Sequence, residues 1–200
     1  MDELIIPPLS LNLITTNKCT ATCLNCCLQC SPENNDRLSL QEMVQYVDSS
    51  IETYDTIKLL ILTGGECFTL GKDLDSIVQY ASNKGLMVRV VTNGYWATSS
   101  EKAFARLKKL ADAGLLEFNL STGDEHQNWV PYDNIIWATV AALELKLSVA
   151  INVETSMISQ FDERHLKTDP RLEKYKLILN EKLKVISGIW ILFHYCPVKK

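Results

Sequence analysis

IKLLILTGGECFTLGKDLDSIVQYASNKGLMVRVVTNG, residues 57–94, contains one complete unit of the fold. Residues 57–65 are apolar almost throughout and run into a glycine pair, the pattern of a strand covered on both faces. LDSIVQYASNKG (74–85) repeats its apolar side chains at helical spacing and stops at Gly85, a C-terminal cap. MVRVVTNG (87–94) is again short and β-branched. A strand, a helix and a second strand in so few residues imply parallel strands joined by a right-handed helical crossover.

The same alternation continues in both directions. Upstream, Leu9 to Thr16 reads as a first strand, followed by a cysteine loop spanning about 17–38. The helix SLQEMVQYVDSSIETY then opens at Ser39, with Glu42 three residues on as the second half of a capping box. Downstream come SEKAFARLKKLADAG, a helix ended by Gly114, and the strand LLEFNLSTG. A helix from Pro131 to about Lys146 and the strand LSVAINVET follow. A helical segment around RLEKYKLILNEK then leads to a sixth strand in VISGIWILFHY. No linker, low-complexity segment or repeat of the solenoid kind interrupts the series. Eight βα units take roughly 250 residues, so 200 residues suit six. The expected fold is α/β, a partial (β/α)6 TIM-type barrel with parallel strands, in one domain over residues 1–200. An open doubly wound sheet is the competing architecture, and periodicity does not separate the two. The end soon after strand six fits a minimal core or a chain that continues.

A hydrophobic fraction of 46% with 22% charged residues is that of a soluble globular protein. The net charge is −4 and Lys and Arg form no run, which argues against nucleic acid and membrane as partners. MDELIIPPLS lacks the basic then apolar layout of a signal peptide. No stretch reaches the roughly 18 apolar residues of a membrane span, so the expected location is cytoplasmic. Seven cysteines is an odd number for a disulfide framework, and five lie between Cys19 and Cys30. Such crowding points to a metal site or redox chemistry.

Position sharpens this. In a parallel βα protein, the loops after the strands share one rim, where ligands bind. The cysteine loop follows strand one, Thr63-Gly64-Gly65-Glu66 strand two, and Thr92-Asn93-Gly94 strand three. Ser121-Thr122-Gly123-Asp124 follows strand four, and Asn152 with Glu154 strand five. Chance would send about half of these residues to the opposite rim.

The cysteines read C-x3-C-x2-C-C-x2-C through Cys19, Cys23, Cys26, Cys27 and Cys30. Three ligands in the C-x3-C-x2-C spacing would leave one iron of an iron–sulfur cubane open to a small molecule. Zinc held by Cys23, Cys26, Cys27 and Cys30 is the rival, and free thiols buried as small hydrophobes a third reading.

Cys19-x3-Cys23-x2-Cys26 after a first strand, with Gly64-Gly65-Glu66 closing the second, resembles the radical S-adenosylmethionine (SAM) superfamily over essentially the whole chain. The resemblance implies that Cys19, Cys23 and Cys26 ligate a [4Fe–4S] cluster whose fourth iron is chelated by SAM. It further implies reductive cleavage of SAM to a 5′-deoxyadenosyl radical, fed by a low-potential donor such as flavodoxin or ferredoxin. Gly64, Gly65 and Glu66 would accept hydrogen bonds from the SAM amine, although a glycine pair also suits a plain βα turn. Thr92 and Asn93 would line the SAM pocket, Ser121 and Asp124 would meet the ribose, and Asn152 the adenine or ribose. Ser-x-x-Asp is equally a helix-cap pattern. Asn25 stands where many members carry an aromatic or His, and the pattern does not require Cys27 or Cys30. Glu125, His126 and Cys67 are the candidates for catalysis, against capping and core roles. Trp96 and Trp129 flank two rim loops, either as pocket walls or as core aromatics. Cys196, His165 and His194 carry no interpretable context. The substrate, a peptide or small molecule, is not legible; peptide maturases and glycyl-radical activating enzymes are the nearest look-alikes.

Overall fold

The computed structural model describes residues 7–156, 158–175 and 182–189. Among these residues, six strands, β1 (Ser10–Ile14), β2 (Leu59–Thr63), β3 (Met87–Thr92), β4 (Glu117–Gly123), β5 (Ser148–Thr155) and β6 (Leu183–Ile189), form one sheet. Every neighbouring pair is parallel, and the strands stand in the order in which the chain makes them. That order decides the architecture. With right-handed crossovers, strands added always on the same side gather their helices on one face. A doubly wound sheet needs a reversal to cover both faces, and none occurs among the described strands. The sheet is the wall of a partial (β/α)6 barrel.

Among the described residues, seven α-helices accompany it: α1 (Leu40–Thr53), α2 (Lys72–Asn83), α3 (Ser100–Asp112), α4 (Asp124–Gln127), α5 (Tyr132–Glu144), α6 (Glu163–Thr168) and α7 (Pro170–Glu173). The capping box of α1 forms as expected: Ser39 Oγ accepts from Glu42 N, and Glu42 Oε2 accepts from Ser39 N at 2.7 Å. Of the helical segment expected around 171–182, residues 171–173 are helical in α7, and 176–181 lie outside the described residues. Two short helices occupy 163–173, separated because Pro170 disfavours a helical conformation at Asp169. The expected continuation of strand six through 190–195, with His194 and Cys196, lies outside the described residues.

The strands alternate more than continuous apolar runs would suggest. Leu60, Leu62, Val88, Val90, Phe118 and Leu120 are fully buried against the helices. Their neighbours Arg89, Glu117, Asn119 and Ser121 point to the other, half-buried face. There Arg89 Nη2 donates to Glu117 Oε2 at 2.8 Å across β3 and β4. No helix among the described residues is long and apolar enough to cross a membrane.

Candidate active site

The cysteine loop is built onto the end of β2. Beyond β1 the chain keeps the ladder going: Thr15 N donates to Thr63 O at 2.8 Å, Gly65 N to Thr16 O at 2.6 Å and Glu66 N to Lys18 O at 2.8 Å. So close an approach requires the glycine pair. A Cβ on Gly64, whose φ is +136°, would meet Thr16 O at 2.4 Å, and one on Gly65 would meet Lys18 O at 2.2 Å. The loop returns through Cys19 N to Ser31 O (3.0 Å) and Leu38 N to Thr15 O (2.9 Å), and so delivers the chain to α1.

Glu66 is completely buried. Its Oε1 accepts from Phe68 N at 3.0 Å and Thr92 Oγ1 at 2.8 Å, and its Oε2 from Asn93 N at 2.8 Å. Burial pushes its pKa up to about 7, although all three donors oppose the rise. Asn93, oriented by this contact, turns Nδ2 toward Thr20 Oγ1 (3.1 Å) and Cys19 Sγ (3.8 Å). One carboxylate therefore joins the ends of β2 and β3 beneath the cysteine loop.

Above this joint lies a cavity of about 240 Å³. Cys19, Cys23 and Cys26 line it with Gly64, Gly65, Thr92, Asn93, Ser121 and His126, and Cys27 and Cys30 also border it. The first three thiols are half-buried, Cys27 is exposed and Cys30 is buried. Burial raises the Cys19 pKa and pushes Cys23 up to about 12, with the charges of Cys19 and Glu125 adding to the rise at Cys23. A thiol–disulfide nucleophile needs the opposite shift, whereas a bound metal deprotonates its thiols outright. Among the described residues, no group of three or more His, Cys, Asp or Glu side chains is gathered to hold a single metal ion. An iron–sulfur cluster spreads its thiolates over several irons. Three thiols on one cavity wall, with an amide donor beside Cys19, fit that donor set.

The remaining candidates divide. Ser121 and His126 border both this cavity and a second of about 250 Å³, which Asn152 and Glu154 also line. Asp124 stands outside both. Its oxygens accept from Gln160 N (2.7 Å) and Phe161 N (2.9 Å), anchoring the segment after β5. Glu125 reaches the cysteine loop, where Oε1 accepts from Leu24 N at 2.9 Å. Cys67 is buried away from the cavity, its thiol donating to Val91 O at 3.2 Å. Trp96 packs in the core, stacked on Phe68 at 4.3 Å, while Trp129 is half-exposed. His165 closes a capping box with Asp162 at the start of α6.

Glu154 is the residue that sequence reasoning placed on the rim without giving it a task. Its Oε1 accepts from Glu125 N (2.8 Å) and His126 N (3.1 Å), and its Oε2 meets His126 Nδ1 at 2.7 Å. Nothing in the sequence pairs β5 with α4; only the strand register brings Gly123 beside Glu154.

The family model described as the Radical SAM superfamily matches residues 13–167. A curated relative, YydG of Bacillus subtilis (strain 168), provisionally named a peptide biosynthesis protein, is 24% identical over 126 residues, 63% of this chain and 39% of its own. Methylornithine synthase (PylB) has a TM-score of 0.61 at 15% identity, over 91% of this chain and 53% of that one. Native anSMEcpe with bound AdoMet and Cp18Cys peptide gives 0.56 at 15% identity, over 90% and 51%. BtrN in complex with AdoMet and 2-DOIA gives 0.53 at 16% identity, over 94% and 71%. At these identities the solved structures share the fold. The chain spans about two fifths of the curated relative's length and about half that of the first two structures.

Proposed function

The chain belongs to the radical SAM superfamily, and from that premise we propose that it cleaves SAM reductively at a [4Fe–4S] cluster held by Cys19, Cys23 and Cys26, to modify a peptide. The observation that carries this reading is the shared cavity, in which those three thiols stand with Gly64, Gly65, Thr92 and Asn93. When bound, the cluster and SAM together supply a 5′-deoxyadenosyl radical able to take hydrogen from carbon.

The chain's own residues bind and orient. Gly64 and Gly65 present bare backbone to the cavity, where carbonyl oxygens suit an ammonium. Glu66 works from below: it is buried, and it fixes Thr92 and Asn93 in the wall. Asn93 Nδ2, beside Cys19 Sγ, is a hydrogen-bond donor of the kind that tunes cluster potential. Ser121 and Asn152 are the proposed contacts of the SAM nucleoside, and Asp124 supports that side by holding residues 160–161. His126, which borders both cavities, and Glu125, which lines a separate one with Asn25 and Glu154, are the proposed residues for proton handling or substrate contact, whereas Cys67 packs the core. A peptide substrate is favoured by the name of YydG and by the peptide in the anSMEcpe complex. A cytoplasmic flavodoxin or ferredoxin is the proposed electron donor.

Anaerobic purification tests the proposal. Roughly four iron and four sulfide per chain, a brown colour bleached by air, and 5′-deoxyadenosine formed from SAM under dithionite are expected. Cys23→Ala should lose both colour and cleavage. Colourless, zinc-loaded protein would overturn the reading, as would a Cys23→Ala variant that keeps both properties.

A further inference from the structure

The loop carrying Cys19, Cys23 and Cys26 is tied at its base to β2, but its tip reaches across the barrel mouth. Among the described residues, the backbone hydrogen bond from residues 21–28 to another element is Leu24 N to Glu125 Oε1, at 2.9 Å. The other backbone bonds of that stretch are local turns, Cys26 N to Cys23 O and Gln29 N to Cys26 O. Leu24 is 88% exposed, so packing does not hold the tip in place.

Glu125 is held in turn. It lies in α4, four residues long and far too short to be stable by itself. Glu154, from β5, grips that helix by the Glu125 and His126 amides and by His126 Nδ1. The Glu154 side chain is only 10% exposed. It rests directly on Gly123, where a Cβ would come within 2.1 Å of the Glu154 carboxyl carbon. A buried carboxylate that accepts from two amides, meets an imidazole nitrogen and rests on glycine is closely constrained.

We propose that Glu154 is a positioning residue: it sets α4, and through Glu125 it fixes the tip of the cysteine loop, so that β5 controls where Cys23 and Cys26 stand relative to Cys19. The inference rests on the cluster assignment above. Residues that orient metal ligands typically change metal retention by about tenfold or more when altered.

The test compares reconstituted wild type, Glu125→Gln, Glu125→Asp and Glu154→Ala under anaerobic chelator challenge, following loss of the visible cluster absorption. Glu125→Gln keeps an acceptor oxygen at full reach, whereas Glu125→Asp keeps the charge but is one methylene short. Cluster loss should match wild type in Glu125→Gln and be about tenfold faster in Glu125→Asp and Glu154→Ala. The reduced EPR spectrum of those two should also respond to SAM differently from wild type. A Glu125→Asp variant as retentive as wild type overturns the inference, and so does a Glu125→Gln variant as labile as Glu125→Asp. A wild type that assembles no cluster overturns the proposed function beneath it, so the two failures are distinct.

Discussion

Glu66 ends the segment in which a carboxylate is expected to meet the SAM amine, yet both of its oxygens are engaged by Phe68, Thr92 and Asn93. Residue type and rim position were legible in the sequence; the inward turn of this side chain was not, because two of its three partners lie 26 and 27 residues away at the end of another strand. Its burial has a measurable consequence. A carboxyl whose pKa rises on folding, here from 4.5 to about 7, binds its proton more tightly in the folded state. That contribution is complete below about pH 4.5 and is lost as pH climbs through about 7. Apoprotein stability in urea should therefore fall by up to about 3 kcal/mol between pH 5 and pH 8. Glu66→Gln should flatten that dependence, because the amide does not titrate. A wild-type profile already flat over this range would show that Glu66 is ionised throughout.

Elements meet closely where the cysteine loop leaves β1 and passes the end of β2. The six strands could be read from apolar runs, the start of α1 from Ser39 with Glu42, and the ends of α2 and α3 from the stops at Gly85 and Gly114. These signals are local, which is why they survive in the sequence. Helices α4, α6 and α7 are four to six residues long and have no periodicity to read; caps and long-range bonds hold them. The glycine pair was visible, but its structural duty was not. Gly64 and Gly65 bring two backbones together as well as facing the cavity. Gly65→Ala isolates that duty, because its Cβ would sit 2.2 Å from Lys18 O, a backbone atom with no rotamer to yield. Overpacking of this kind costs about 1–3 kcal/mol. A lower urea midpoint of the apoprotein and poorer iron loading on reconstitution should appear together. If stability falls while iron loading stays at the wild-type level, the seam does not position the cysteine loop.

Across the whole molecule, the candidate site is distributed. Its thiols come from the loop after β1, its glycines from β2, its amide from β3, and Ser121 and His126 from β4 and α4. Sequence alone left the curled and the doubly wound sheet open. The strand order closes that question, and the same order carries these loops to one mouth. A ligand bound there touches segments spread over more than half the chain, none of which is assembled in the unfolded state. Occupancy should therefore stabilise the fold by linkage. SAM at about a hundred times its dissociation constant contributes about 2.7 kcal/mol. For a domain of this size, that raises the thermal midpoint by roughly 5–10 °C. Cluster-loaded wild type should show the shift in an anaerobic melt, whereas Cys23→Ala, without the iron proposed to anchor the amino acid end of SAM, should lose most of it. An equal shift in both proteins would put the SAM-binding energy on the strands and not at the cysteines, and the proposed chelation by the open iron would fail.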